Sequence, residues 1–90
     1  MRNGRFGFCY PGYRYCGPGC SGPGAPTNPV DACCKFHDEC YMYNRDRGSR
    51  RGYCDNLFQQ CLNQYTYMNN NLGKDARLFS SAINMKNFFF

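Results

Sequence analysis

The sequence predicts a small, disulfide-rich, mainly α domain, and three observations predict it. Eight cysteines fall within 90 residues, an even count with no repeated Cys-x-x-Cys knuckles. Two stretches place cysteines and apolar residues at three- and four-residue steps, the spacing of one helical face. Ahead of the first of these runs a loop at 15–22, Tyr-Cys-Gly-Pro-Gly-Cys-Ser-Gly, too rich in Gly and Pro for helix or strand. Its backbone amides and carbonyls are therefore left for partners other than a ladder.

A chain this short forms one domain, 1–90, and buries a smaller fraction of its surface than a longer chain, so it needs staples. The cysteine count argues for four disulfides formed in an oxidising compartment, each stabilising by ~2–4 kcal/mol. A reduced zinc site is the alternative, but paired ligand spacing is missing and the chain holds one histidine. No apolar run reaches signal-peptide or transmembrane length, so the reading is a soluble protein whose export is inferred from its cysteines. The formal charge of +5 suits an anionic membrane surface, although a solvated basic face with no partner is as ordinary a reading. No nucleic-acid-binding motif accompanies the charge, and nucleic acid is not expected as a partner.

The elements follow in order. Residues 1–14 are basic, aromatic and Gly-rich without helical period, an irregular lead-in. The loop 15–22 comes next. A helix is expected over 28–45: Thr27 or Asn28 can cap it, Pro29 suits its first turn, and Asp31 lies near the positive end of its dipole. The connector from Arg45 to Gly52 carries four arginines and reads as a solvated turn or a contact for lipid phosphates. A second helix is expected over 53–68, with Cys54, Phe58, Cys61, Leu62 and Tyr65 inward. The segment 69–90 turns polar at Asn69-Asn-Asn, resumes helical spacing around Ala76 to Ile83 and ends on three phenylalanines, Phe88 to Phe90, read as packed or disordered rather than as an apolar end offered to a bilayer.

On the first helix, the turn of ~100° per residue puts Cys33, His37, Cys40, Tyr41 and Asn44 on one face. Cys34 and Asp38 line the adjoining flank. Packing alone can place a histidine on an inner face. A disulfide-bearing glycine loop that feeds a helix carrying His-Asp calls for another explanation.

Tyr15-x-Gly17-x-Gly19 followed by Cys33-Cys34-x-x-His37-Asp38-x-Cys40-Tyr41 resembles the calcium loop and active-site helix of the secreted phospholipase A2 family. The similarity is close from Tyr15 to Tyr41 and extends through Cys61. The Gly-Pro-Gly and Pro-Thr-Asn-Pro-Val-Asp runs are most similar to the compact domain of parvovirus capsid proteins, whose versions lack the cysteines. The resemblance implies a phospholipase A2-like fold, with two antiparallel disulfide-linked helices plus a calcium-binding loop at 15–22. Eight cysteines allow 105 pairings. Among these the resemblance implies Cys33 with Cys61, Cys40 with Cys54, and Cys16 with Cys34, which leaves Cys9 and Cys20. The first two pairs each sum to 94 in position number, as two rungs of one antiparallel register would.

The same resemblance implies a catalytic set of His37, Asp55 and Tyr41, and calcium held by the carbonyls of Tyr15, Gly17 and Gly19 with the carboxylate of Asp38. In the antiparallel register His37 faces position 57, so Asp55 is offset by ~3 Å along the axis, within side-chain reach. Asp55 as a mere helix cap is the bland alternative. The implied reaction is calcium-dependent hydrolysis of the sn-2 ester of glycerophospholipids by a His-Asp pair that activates water. No nucleophilic serine is invoked, since Ser21 has no recognisable partner. The implied setting is secreted or extracellular, at a phospholipid membrane surface and preferably an anionic one. The family's amphipathic N-terminal helix has no counterpart in residues 1–14. The alternatives are a noncatalytic phospholipase A2-fold toxin or membrane-binding module, and a basic host-defence protein that needs neither calcium nor His37.

Overall fold

The structure, a computed structural model, describes residues 8–17, 20–44, 46, 48 and 50–84. Helix α1 spans Pro29–Tyr43 and starts at Asn28, whose side-chain oxygen accepts the Asp31 N–H at 2.8 Å. Of the two capping candidates, Asn28 takes the role. At the other end the backbone turns extended at Asn44, whose amide and side-chain NH₂ both bond the Cys40 carbonyl.

The second helical stretch differs from the single helix expected over 53–68. It opens with one π-helical turn, Arg50–Cys54, and continues as helix α2, Asp55–Asn63. Beyond Asn63 the chain tightens: Tyr65 N–H bonds Leu62 O at 2.8 Å and Met68 N–H bonds Tyr65 O at 3.0 Å, three-residue steps that mix with one four-residue bond from Thr66 N–H to Leu62 O. Helix α3, Asn71–Asn84, is longer than the stretch around Ala76 to Ile83 suggested, because Asn70 caps it by accepting the Gly73 N–H at 3.0 Å. Gly73 lies where the turn after α2 meets α3. A Cβ there would lie 2.0 Å from the Met68 carbonyl oxygen, so the turn after α2 folds directly onto the first turn of α3.

Two disulfides fasten α1 along the second stretch, Cys33 with Cys61 and Cys40 with Cys54, with Cα separations of 5.7 and 5.8 Å. Their crossed order makes the two helices antiparallel. Cys16 with Cys34 straps the loop to α1, and Cys9 with Cys20 closes the loop on itself. Around these bridges Val30 of α1, Phe58 and Leu62 of α2, and Ala76 and Phe79 of α3 are buried in one core with Tyr13 and Tyr15. The described part of the lead-in is anchored by aromatic packing: Tyr10 and Tyr13 meet Phe79 edge to face at 5.2 and 5.3 Å. Among the described residues there are three α-helices and no strand, and no helix is long and apolar enough to cross a membrane. The arginine side chains of the connector and the terminal phenylalanines fall outside the described residues.

Candidate active site

The α1–α2 seam carries three of the expected residues into one contact. His37 is 3% exposed, and its Nε2 lies 2.7 Å from Asp55 Oδ1. Asp55 is the first residue of α2, directly after the bridged Cys54, so the disulfide to Cys40 holds this carboxylate beside α1. Tyr41, one turn after His37, donates its hydroxyl to the same oxygen at 2.6 Å. Two donors on one carboxylate oxygen fix the imidazole in rotation and tautomer, because the nitrogen facing Asp55 must carry the proton. Burial lowers the pKa of His37, while the hydrogen bond and charge of Asp55 pull it back up; burial prevails. The ring is thus neutral near pH 7, with Nδ1 basic.

Phe58 was assigned to the inner face, and the structure gives it a further contact. Its ring stacks on His37 at 4.4 Å between centroids with 24° between planes, while Tyr41 leans on the imidazole at 4.4 Å. The signal was present in the sequence, since α2 repeats its inward face every three to four residues and Asp55 and Phe58 are three apart.

Asp38 follows His37 and turns to the neighbouring flank. Its Oδ2 is buried and has no hydrogen-bond partner among the described residues. Burial first, then the charges of Asp31 and Glu39, push its carboxyl up to about 8. The loop strapped to α1 by Cys16 presents its backbone in an unusual state. No hydrogen bond reaches the Tyr15 carbonyl among the described residues, and the Gly17 carbonyl accepts a turn bond from Cys20 N–H at 3.2 Å, which leaves a second lone pair. Gly19 lies outside the described residues. An unpartnered buried carboxylate oxygen together with loop carbonyls fits a hard, oxygen-seeking cation such as calcium. No group of three or more His, Cys, Asp or Glu side chains suited to a metal occurs among the described residues, so such an ion would draw most of its oxygens from backbone.

Gly17 is required by two features at once. Its φ is +136°, and a Cβ there would lie 2.0 Å from the Phe8 carbonyl oxygen. Gly17→Ala is expected to displace the loop and lower the melting temperature by roughly 5 °C or more, a cost of ~1–3 kcal/mol. Thermal unfolding followed by circular dichroism, with disulfides intact, checks it.

Asp31 was read as a favourable charge at the helix start, and the structure gives it a larger part. It is 0% exposed, and its carboxylate accepts the backbone N–H groups of Arg14, Tyr15 and Thr27 at 2.8–3.2 Å. Its residue type and position pointed to the dipole. Its backbone partners lie 17, 16 and 4 residues away along the chain, a relation no local pattern carries.

Comparison with known proteins bears on the same residues. A family model described as a phospholipase A2-like domain matches residues 6–86. Phospholipase A2-beta of Arabidopsis thaliana is 45% identical over 53 residues, which cover 57% of this chain and 34% of the relative, so the chain spans about a third of that protein's length. No solved structure matches the chain. With nearly all of its length matched by the family model, the chain belongs to the phospholipase A2-like domains.

Proposed function

We propose that this protein hydrolyses the sn-2 ester of glycerophospholipids in a calcium-dependent reaction, releasing a fatty acid and a lysophospholipid. One observation carries the reading: buried His37 and half-buried Tyr41 converge on a single oxygen of Asp55, and the residue after His37, Asp38, has a buried oxygen with no hydrogen-bond partner among the described residues. Membership of the family supports phospholipid hydrolysis at that level.

The chemistry follows from the hydrogen bonds. Asp55 holds the proton of His37 on Nε2, so Nδ1 is the nitrogen that accepts a proton from water. The water oxygen then attacks the ester carbonyl carbon. As the tetrahedral adduct collapses, His37 returns the proton to the departing glycerol oxygen, and the dyad is restored. Tyr41 donates to Asp55 and keeps the carboxylate aimed as the imidazole gains and loses charge. Held by Asp38 and the carbonyls of Tyr15, Gly17 and Gly19, calcium would bind the substrate phosphate and stabilise negative charge on the ester carbonyl oxygen. The four disulfides suit an oxidising, extracellular setting, and the charge of +5 suits an anionic phospholipid surface as partner.

The test is fatty-acid release from mixed anionic and zwitterionic vesicles carrying sn-2 labelled lipid, with calcium and then with excess chelator. Release confined to sn-2 and stopped by chelation is the expected result. No release from folded, fully bridged protein would favour a noncatalytic module that uses the fold to bind membranes.

A further inference from the structure

We propose that Asp31 is a positioning residue for the calcium loop, fixing the direction of the Tyr15 carbonyl before any ion arrives. The inference rests on the proposed calcium site and names the residue that preorganises it. Asp31 and Asp38 lie seven residues apart on α1, which brings them to within ~20° of one helical face. The same face therefore grips the loop at one carboxylate and offers an unpartnered oxygen at the other.

The grip is specific to one stretch of backbone. Asp31 Oδ1 accepts the Tyr15 N–H at 2.8 Å, and the Arg14 N–H is shared between both oxygens at 3.2 and 3.1 Å. Oδ2 also takes the Thr27 N–H at 2.9 Å, so the far side of the loop is tied to the same carboxylate. The peptide plane between Arg14 and Tyr15 is held at both ends, because its carbonyl accepts the Gly22 N–H at 2.8 Å. The plane between Cys16 and Gly17 is held too, its carbonyl accepting the Tyr10 N–H at 2.9 Å. Between the two pinned planes lies the peptide that carries the Tyr15 carbonyl, to which no hydrogen bond is made among the described residues. With both neighbours fixed, that carbonyl has little freedom to turn away, and an ion arriving there meets an oxygen already aimed.

A carboxylate is needed for this. Buried charge is costly unless it is fully hydrogen-bonded, and Asp31 is 0% exposed, with three backbone N–H donors and the α1 N-terminus around it. Asn at this position would keep the volume but turn an NH₂ toward backbone N–H groups, releasing one side of the grip.

The test is calorimetric titration of calcium alone into disulfide-intact wild type, Asp31→Asn and Asn28→Ala. Asn28→Ala removes the helix cap beside Asp31 without touching the loop amides, so it lowers the melting temperature while calcium affinity stays at the wild-type value. Asp31→Asn is expected to weaken calcium binding by ~10–100-fold, as loss of a residue supporting a metal ligand typically does. If wild type binds calcium and Asp31→Asn binds it equally well, the inference is overturned and the calcium site stands. If wild type binds none, both fall together. Amide exchange in the calcium-free wild type keeps the question open to decision even if Asp31→Asn fails to fold. The Tyr15 amide should exchange as slowly as amides inside α1, and exchange at the rate of an unprotected loop would overturn the proposal.

Discussion

His37→Gln is expected to lower kcat/KM for sn-2 release by ~10²–10⁴-fold, the range that general-base catalysis contributes, while calcium binding and the fold persist. Gln keeps a side chain able to hydrogen-bond Asp55 but has no nitrogen that accepts a proton near neutral pH. Asp55→Asn should also lose activity, because the remaining amide no longer dictates which imidazole nitrogen is protonated. Tyr41→Phe should lose less, since one of the two donors on Asp55 Oδ1 remains. The pH profile separates these roles. A base must be neutral to act, and burial lowers the His37 pKa from its ordinary 6.5, so activity should persist to lower pH than an exposed histidine would allow. Asp55 opposes that lowering through its hydrogen bond and charge, so Asp55→Asn should carry the acid limb of kcat/KM further down. Full activity in His37→Gln would remove this residue from the mechanism.

The parts of the molecule that were legible in the sequence are those fixed by periodic spacing or by covalent pairs. Cys33 with Cys61 and Cys40 with Cys54 lie in one antiparallel register, and that register, with the family motif, singled out Asp55 as the carboxylate facing His37. The helix start was legible to within one residue, because Asn28 and Pro29 are adjacent and each has a separate reason to be there. What was hidden depended on backbone meeting backbone. The run to Met68 carries tolerable helix formers, so nothing local announces that α2 ends at Asn63. Nothing in the sequence marks Gly73 as a contact, yet its missing side chain is what lets the Met68 carbonyl approach α3. The π turn at Arg50–Cys54 is similarly silent, since an extra residue per turn leaves no mark on composition. Asp31 shows the same limit at the site itself: its type was suited to a helix start, and its grip on Arg14 and Tyr15 joins residues 17 and 16 positions away, which no local pattern carries.

In chelator, with disulfides intact, the wild-type protein is expected to lose stability as pH rises from about 6.5 to 8.5, and Asp38→Asn is expected to remove most of that loss. Asp38 in the folded chain is raised from 3.8 to about 8, chiefly by burial and then by the charges of Asp31 and Glu39. A folded-state pKa above the unfolded one means that the native protein holds a proton the unfolded chain has already released. The stability linked to neutral Asp38 is therefore complete below about 4 and disappears as pH climbs through about 8. His37, with its pKa lowered, contributes the opposite slope, but that slope is complete once pH passes 6.5. The window above it reports mainly Asp38. Only the last stretch of that loss, from pH 6.5 to about 8, falls in this window; it amounts to ~2 kcal/mol at most, and screening by solvent at this partly exposed residue brings the expected effect to ~1 kcal/mol. In a domain of this size that is roughly 5 °C in melting temperature between pH 6.5 and 8.5, a loss that Asp38→Asn should not share. Calcium should oppose that loss. A cation at the proposed site would take the ionised carboxylate and stabilise that form, so added calcium should raise the wild-type melting temperature more at pH 8.5 than at 6.5. Asp38→Asn should gain nothing from calcium and show no calcium-dependent release of fatty acid. Thermal unfolding of the two proteins at both pH values, with calcium and with chelator, decides the matter. Parallel curves for wild type and Asp38→Asn in all four conditions would remove Asp38 from the metal site.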